Sequence, residues 1–180
     1  HETEEKEIIK NLQKIIKINK LKLCIAPRHP ERITDISRLL NENNLSFSLD
    51  SKQVNFEDDV TIIDSFGRLD TYFNDSEIVI LGGSFIKKGG HNPIEPAKYG
   101  CAIISGMHIY NWKNIYDEML KNKACIILDN IDKLQHIVSE FILNKSLLEA
   151  SKKNALDFSN KKFFNNEILF EQINLVLNKC

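Results

Sequence analysis

The chain has 180 residues, of which 42% are hydrophobic and 27% are charged, and its formal net charge is −1. This length is typical of one domain. The near-zero net charge excludes a strongly basic chain that binds nucleic acid or a membrane surface through charge alone, and the hydrophobic fraction excludes disorder along the whole chain. The sequence shows no signal-peptide pattern and no apolar run of the roughly 18 residues that a membrane helix needs, which predicts a soluble, cytosolic chain.

Apolar runs alternate with helix-like stretches along the chain. In chain order, the spacing of apolar residues predicts a helix over 4–19, a strand over 21–26, a helix over 33–43, strands over 45–49 and 60–63, a helix over 69–74, a strand over 77–81, a helix over 93–99, a strand over 101–104, a helix over 112–120 and a strand over 124–128. The tail from residue 131 is predicted to be helical, with breaks near Asn144 and Asn160. This alternation is typical of one doubly wound, Rossmann-like α/β domain over residues 1–180 with a mostly parallel sheet.

The chain opens almost directly into its first predicted helix. A strand normally precedes that helix in a doubly wound domain. We therefore expect that a first strand is missing and that this sequence was cut from a longer one.

Ligands of doubly wound domains bind outside the carboxyl ends of the strands, where the strand order reverses. The segments that follow predicted strands are residues 27–32, 64–69, 82–95 and 105–112, and they hold a large share of the glycine, proline, histidine and arginine of the chain. The candidate functional residues are therefore expected in these four segments.

The segment 82–96 is the most informative of them, with four glycines in nine residues followed by a helix signal. We predict Asn92 at the N-cap of that helix, Pro93 at its first position and Glu95 three residues after the cap. Backbone N–H groups at such a helix start suit a phosphate or a carboxylate. An ordinary glycine-rich turn, in which Glu95 only completes a capping box, explains the same residues equally well.

Two further segments carry candidate ligand-binding groups. Residues 27–32 place two arginines and a histidine after a strand, and arginine offers planar, bidentate recognition of phosphate or carboxylate. A solvated loop in which Glu31 pairs with Arg28 or Arg32 is the alternative. For residues 64–69, a plain turn between a strand and a helix is the favoured interpretation on physical grounds alone.

Cysteine and histidine patterns indicate no metal site. The four cysteines form no C-x-x-C pair and are expected to be small buried hydrophobic residues in a reducing compartment. The five histidines are dispersed, and no histidine pairs with cysteine at the spacing of zinc ligands. The P-loop, G-x-S-x-G and nicotinamide-binding patterns are also missing from the sequence, so we predict no cofactor.

Taken together, these segments resemble the Kdo transferase family, which transfers 3-deoxy-D-manno-octulosonic acid (Kdo) and has two Rossmann-like halves facing a cleft, the GT-B arrangement. The matching segments are H-E-T-E-E at 1–5, A-P-R-H-P-E-R at 26–32, D-S-F-G-R-L at 64–69, the run G-G-S-F-I-K-K-G-G-H-N-P-I-E-P at 82–96, and S-G-M-H-I-Y-N-W at 105–112. The chain departs from the family pattern at Met107, where proline is usual, at Ser65, where threonine is usual, and at Arg68, where glutamate is usual.

The resemblance implies that the chain is the C-terminal half of such an enzyme and binds the donor CMP-Kdo. It places Pro27 and Arg28 at the nucleotide, and Asn92 and Glu95 at the phosphate and ribose. It also brings the turn Phe66, Gly67, Arg68 and Leu69 to the phosphate or cytidine, and it adds Gly83, Ser84 and His91 as further candidates.

The resemblance also implies the rest of the reaction. The acceptor is a lipid A precursor, and the general base is a glutamate of the N-terminal half, which this chain does not contain. The chain alone is thus expected to bind the donor without catalysing transfer, and to meet the cytoplasmic face of the inner membrane only through an anchor in the missing half. No nucleic-acid partner and no metal are expected.

Two other classes of protein fit the same residues. The first is a different GT-B glycosyltransferase or a half-domain of a sugar-nucleotide epimerase. The second is a flavodoxin-like binding module without chemistry. The choice of nucleotide separates them, because CMP indicates a Kdo transferase, UDP indicates the first alternative, and neither nucleotide binds to the second.

Overall fold

The computed structural model describes residues 2–52, 54, 55 and 57–177, and the side chains of residues 3–162 within them. His1 and Cys180, which entered the sequence analysis, lie outside the described residues. The helices are α1 (Glu2–Asn19), α2 (Ile33–Glu42), α3 (Leu69–Asp75), α4 (Ile94–Lys98), α5 (Lys113–Lys121), α6 (Leu134–Leu143) and α7 (Lys145–Leu177). The strands are β1 (Leu23–Ile25), β2 (Phe47–Leu49), β3 (Val60–Ile62), β4 (Ile78–Leu81), β5 (Ala102–Gly106) and β6 (Ile126–Leu128).

The six strands pair only in parallel, as predicted, but they form two sheets instead of one. The first sheet has the order β1-β3-β2, with Val60 of β3 level with Leu23 and Phe47. The second has the order β4-β5-β6. The predicted parallel α/β class is confirmed, and the strands fall into two sheets because no ladder of hydrogen bonds joins β1 to β4 within the described residues.

Helices cover both faces of the second sheet, which is the doubly wound arrangement. Successive side chains of a strand point to opposite faces, and β4 and β5 divide accordingly. Ile78, Ile80 and Ile104 pack into a core shared with α1, α2 and α6. Val79 and Ile103 pack on the other face against α4, α5 and α7.

Helix α1 shows why the sequence folds as it does at the first core. Ile9, Leu12 and Ile16 are almost fully buried, at the spacing that places residues on one helix face. The helix ends at Asn19, where Lys20 takes a left-handed conformation and the Leu21 N–H donates to the Ile16 carbonyl, as in a Schellman-type stop.

Helix α7 corrects the predicted break near Asn160. The helix runs without interruption from Lys145 to Leu177, and Asn160 lies on its exposed side. Asparagine costs only a few tenths of a kcal/mol in a helix interior, and burial of the neighbouring Phe158 and Ala155 outweighs that cost.

The cysteine prediction is correct for two residues and wrong for a third. Cys101 and Cys125 are buried, and burial raises their pKa values to about 11 and about 12. Cys24 is exposed, because alternate residues of β1 leave the core and Cys24 stands between the core residues Leu23 and Ile25. Within the described residues, none of the helices combines the length and the apolar character that crossing a membrane requires.

Candidate functional site

The four segments singled out in the sequence all follow the carboxyl ends of strands. Residues 27–32 and 64–69 follow β1 and β3, which are neighbours in the first sheet. Residues 82–95 follow β4 and run into the start of α4, and residues 105–112 begin in the last two residues of β5 and continue beyond it. These two strands are neighbours in the second sheet. The candidate site is therefore built from two pairs of adjacent loops.

The glycine-rich loop after β4 is organised by a carboxylate near the start of the sequence. Glu4, in the first turn of α1, is 3% exposed. Its two oxygens accept from the backbone N–H groups of Gly83 (2.7 Å), Ser84 (3.1 Å) and Phe85 (3.0 Å). Three successive N–H groups form a concave anion site, and here the side chain of Glu4 occupies it. The Gly83 and Ser84 N–H groups are consequently engaged inside the protein.

Ser84 ties the same loop to the end of β5. Its side chain is fully buried, donates to the Leu81 carbonyl (2.6 Å) and accepts from the Gly106 N–H (2.7 Å). A Cβ built on Gly106 would lie 2.7 Å from the Phe85 nitrogen and closer still to the Ser84 carbonyl, so only glycine fits there. In this position the Ser84 hydroxyl holds the loop together and faces no open surface.

The loop after β5 braces the exposed tip of the glycine-rich loop. The Tyr110 hydroxyl donates to the Lys87 carbonyl (3.0 Å), and the Asn111 side chain donates to the Lys88 carbonyl (3.1 Å). The Asn111 N–H also donates to the Gly89 carbonyl. These contacts fix the tip and leave both lysine side chains exposed.

The start of α4 departs from the predicted capping box. The N-cap is Pro93, not Asn92, and Asn92 lies one residue before it. The side-chain oxygen of Asn92 nevertheless accepts from the Ile94 N–H (3.0 Å) at the first position of the helix. Glu95, however, accepts from the side-chain amide of Asn92 (3.3 Å) and not from its backbone N–H. The helix is also only five residues long, shorter than predicted. Glu95 is exposed, and its second carboxylate oxygen has no hydrogen bond within the described part of the chain.

Arg28 stands at the tip of the loop after β1. It is exposed and forms no hydrogen bond or ion pair within the residues that the structure describes, while Pro27 beside it is half-buried. Arg32 instead pairs with Glu5 (2.9 Å) and Asp35 (2.7 Å), so it links the loop to α1 and α2. The alternative interpretation, in which Glu31 pairs with Arg28 or Arg32, is not observed among the described residues. Glu31 Oε1 instead lies 3.8 Å from Nδ1 of His29.

His91 marks the place where the two pairs of loops meet. Its half-buried imidazole packs against Gly82, where an added Cβ would lie 3.7 Å from Cδ2. Burial and the positive charge of Arg28 lower the pKa of His91, while the carboxylates of Glu4 and Glu95 act in the opposite direction. The charges of Arg28 and Glu95 thus both act on His91, although these residues follow strands of different sheets.

The turn at residues 64–69 is held from below by Asp50, which directly follows β2. The Asp50 carboxylate accepts hydrogen bonds from the Ser65 hydroxyl and the Tyr72 hydroxyl (2.5 Å), and Oδ1 lies 3.0 Å from Nη1 of Arg68 in an ion pair. The turn itself projects outwards, with Phe66 85% exposed and Leu69 40% exposed. Gly67 has a φ of +75°, the left-handed conformation that glycine adopts without strain.

Sequence reasoning missed Glu4 and Asp50, the two buried carboxylates that organise the loops. Glu4 could have been noticed, because it lies four and eight residues before the core-facing Ile8 and Leu12 and so shares the apolar face of α1. A carboxylate on that face must find donors inside the protein. Asp50 carries no comparable signal, since it follows a short strand in a polar segment.

No group of three or more histidine, cysteine, aspartate or glutamate side chains is placed to hold a metal ion in the described part of the chain. The loops themselves present hydrogen-bond donors, positive charge and the exposed carboxylates of Glu31 and Glu95. Such a set binds and orients an anionic ligand that also carries hydroxyl groups.

Comparison with known proteins gives clear relatives. No known protein-family profile matches the chain. A 3-deoxy-D-manno-octulosonic acid transferase of Rickettsia felis is 33% identical over 182 residues, which covers 96% of this chain and 38% of the relative. The enzyme of the same name from Haemophilus influenzae is 30% identical over 153 residues, covering 83% of this chain and 36% of the relative.

A solved structure agrees with these relatives. The C-terminal CMP-Kdo binding domain of WaaA from Acinetobacter baumannii superposes with a TM-score of 0.82 at 25% identity, covering 88% of this chain and 84% of that domain. The chain is related to the Kdo transferases.

The relationship to the Kdo transferases concerns one part of those enzymes. The chain spans a little over a third of the length of the two curated relatives. It matches the C-terminal domain of the solved neighbour over most of both chains, which confirms the predicted fold class.

Proposed function

We propose that the chain is the donor-binding part of a Kdo transferase and that it binds CMP-Kdo between the two pairs of loops. The observation that carries the proposal is the match, over most of both chains, to a solved domain described as CMP-Kdo binding. The chemistry of the loops supports it, because this donor combines a phosphate, a sugar acid and a ribose with two hydroxyl groups.

Arg28 and Glu95 have the properties that this donor requires. Arg28 is exposed and without a hydrogen-bonding partner in the described chain, so its guanidinium can receive a phosphate in bidentate fashion. Glu95 keeps one carboxylate oxygen unused after its contact with Asn92. A carboxylate only accepts hydrogen bonds, and ribose hydroxyls donate them, so Glu95 can hold the Asn92 side chain and bind ribose at once.

The whole protein would then transfer Kdo from CMP-Kdo to a lipid A precursor. The acceptor hydroxyl oxygen bonds to the anomeric carbon of Kdo, the bond from that carbon to the phosphate oxygen breaks, and CMP leaves with the electron pair. A general base takes the hydroxyl proton, and we assign that base to an N-terminal half. In this scheme the present chain binds the donor and stabilises the leaving phosphate, and it does not transfer Kdo alone.

The acceptor also gives the location. A lipid A precursor is a membrane lipid, and CMP-activated sugars are cytoplasmic. We therefore place the whole protein at the cytoplasmic face of the inner membrane.

Titration calorimetry with CMP and UDP tests the proposal. We expect CMP to bind and UDP to bind much more weakly. Binding of UDP in preference to CMP would indicate a different GT-B glycosyltransferase, and binding of neither would indicate a module of another kind.

The variant Arg28→Ala tests the site itself. A lost charge-assisted hydrogen bond is worth about 1.5–3 kcal/mol, so CMP affinity should fall about tenfold to hundredfold. Arg38→Ala is the matched control, because Arg38 is an exposed arginine on α2 whose ion pair is with Asp35. Equal affinity of the two variants would remove Arg28 from the site.

A further inference from the structure

Asp50 is a buried carboxylate whose side-chain partners all come from one segment. It follows β2, and its backbone N–H donates to the Ile62 carbonyl (2.9 Å), which extends the pairing with β3 by one residue. Its side chain is 1% exposed. Its three side-chain partners come from the turn after β3 and the residues that flank it: the hydroxyls of Ser65 and Tyr72 donate hydrogen bonds, and the guanidinium of Arg68 forms an ion pair.

The hydrogen bond from Ser65 to Asp50 has a counterpart between the neighbouring residues Ser51 and Asp64. Asp64 accepts from both the N–H (2.7 Å) and the hydroxyl (2.5 Å) of Ser51. The dipeptides Asp50-Ser51 and Asp64-Ser65 therefore exchange hydrogen bonds, each aspartate with the serine of the other. This exchange clamps the start of the turn to the end of β2.

The rest of the turn has little else to hold it. Phe66 is 85% exposed, and a Cβ added to Gly67 would meet nothing within 4 Å. Apolar packing therefore does not fix the turn, and the contacts of Asp50 do. Among these contacts, the one with Arg68 differs from the others because it balances the buried negative charge.

We propose that Asp50 is a positioning residue for ligand binding, which holds Arg68 by one terminal nitrogen (Nη1) and aims the remainder of the guanidinium at the donor phosphate. This inference rests on the proposed function. Arg68 stays 50% exposed while it contacts Asp50. A guanidinium has five N–H donors in a rigid fork, so one edge can bind Asp50 while the other meets an anion. A lysine has a single nitrogen on a flexible stem and cannot serve both partners in this way.

Asp50→Asn is the direct test. Asparagine keeps the volume and one acceptor oxygen for the two hydroxyls, but it loses the charge that holds Arg68. CMP affinity should fall about tenfold, whereas the affinity for cytidine, which lacks the phosphate, should stay within twofold in chemical-shift titrations. A general distortion of the turn would weaken both ligands equally, and that result would overturn the role.

Asp59→Asn is the matched control. Asp59 also accepts three hydrogen bonds, from the N–H and hydroxyl of Ser46 and from Lys17, but it lies at the amino end of β3, away from the loops. Its CMP affinity should equal that of the unaltered chain. If Asp50→Asn binds CMP as well as Asp59→Asn does, the proposal is wrong.

Arg68→Gln and the double variant Asp50→Asn with Arg68→Gln show whether Asp50 acts through Arg68. Coupled residues give non-additive effects, so the double variant should bind CMP no more weakly than Arg68→Gln alone. Losses that multiply would overturn the route through Arg68.

Arg68→Lys keeps the proposal testable even if Asp50→Asn does not fold, because it changes a half-exposed side chain. It should lose about tenfold in CMP affinity, and unchanged affinity would refute the two-sided use of the guanidinium. If the unaltered chain does not bind CMP at all, the proposed function fails, and this role of Asp50 fails with it.

Discussion

Replacing Glu4 by alanine should destabilise the protein more than any other change to a charged side chain of α1. The substitution leaves the buried N–H groups of Gly83, Ser84 and Phe85 without their acceptor. An unsatisfied buried donor costs about 1–3 kcal/mol. Three such donors add to about 3–9 kcal/mol. Water can enter the space that the side chain vacates and satisfy some of these groups, so we expect a total loss of about 3–5 kcal/mol, in the lower half of that range.

Thermal and urea denaturation measure this loss. For a chain of this size, each kcal/mol lowers the melting temperature by roughly 2–4 °C, so Glu4→Ala should melt about 6–20 °C lower. Glu7→Ala is the control on the same helix, because the Glu7 side chain is 39% exposed and its ion pair with Lys10 spans 3.9 Å. That change should stay within about 0.5 kcal/mol. If the two variants differ by less than about 1 kcal/mol, Glu4 does not organise the loop.

Three further predictions concern single residues. Glu95→Gln should lower CMP affinity several-fold and leave the weak binding of a 2′,3′-dideoxy analogue unchanged in calorimetry, and equal losses for both ligands would show that Glu95 does not contact the ribose. The pKa of His91 is lowered in the folded protein, so the unfolded chain binds more protons at acidic pH. The free energy of unfolding should therefore be unaffected by His91 above the ordinary histidine pKa near 6.5 and should decrease as the pH falls below it. Urea denaturation at pH 7.5 and 5.5 should show a smaller decrease in the free energy of unfolding for His91→Gln than for the unaltered chain, and an equal decrease would exclude His91 as its cause. Gly106→Ala should lower the free energy of unfolding by more than about 3 kcal/mol, because backbone atoms occupy the place of a Cβ there. Gly67→Ala has open space around it and should lose only about 1–2 kcal/mol through backbone strain. Equal melting temperatures of the two variants would contradict this difference.

Local patterns predicted the elements and the loops that follow them. Apolar spacing located every helix and strand of the first 130 residues to within a few positions, because burial on one face imposes a period that the sequence shows directly. A hydrogen bond between Asn92 and the start of α4 was predicted for a similar reason, since its partner Ile94 is only two residues away. Contacts of this kind depend on neighbours along the chain, and neighbours are what a single sequence displays.

The contacts that shape the site depend on residues far apart in sequence. Glu4 and Gly83 are separated by 79 positions, and Asp50 and Tyr72 by 22. No periodicity links such pairs, so neither carboxylate was assigned to the loops. The helix start illustrates the same limit on a small scale, because Glu95 accepts from the side chain of Asn92 and not from its backbone N–H, and the spacing of three residues is the same for both contacts.

The division of the strands into two sheets has a consequence for how ligand binding would be detected. Arg28 and the turn at residues 64–69 belong to the β1-β3-β2 sheet, whereas His91 and Glu95 follow the β4-β5-β6 sheet. No backbone ladder joins these sheets in the described chain, and the two sheets are linked through the apolar core that they share. A ligand held by both loop pairs acts as a cross-link, and at a hundredfold excess over its Kd it stabilises the folded state by about 2.7 kcal/mol. Ligand binding should therefore slow the hydrogen exchange of amides in both sheets by the same factor, although each loop pair contacts only one edge of the ligand.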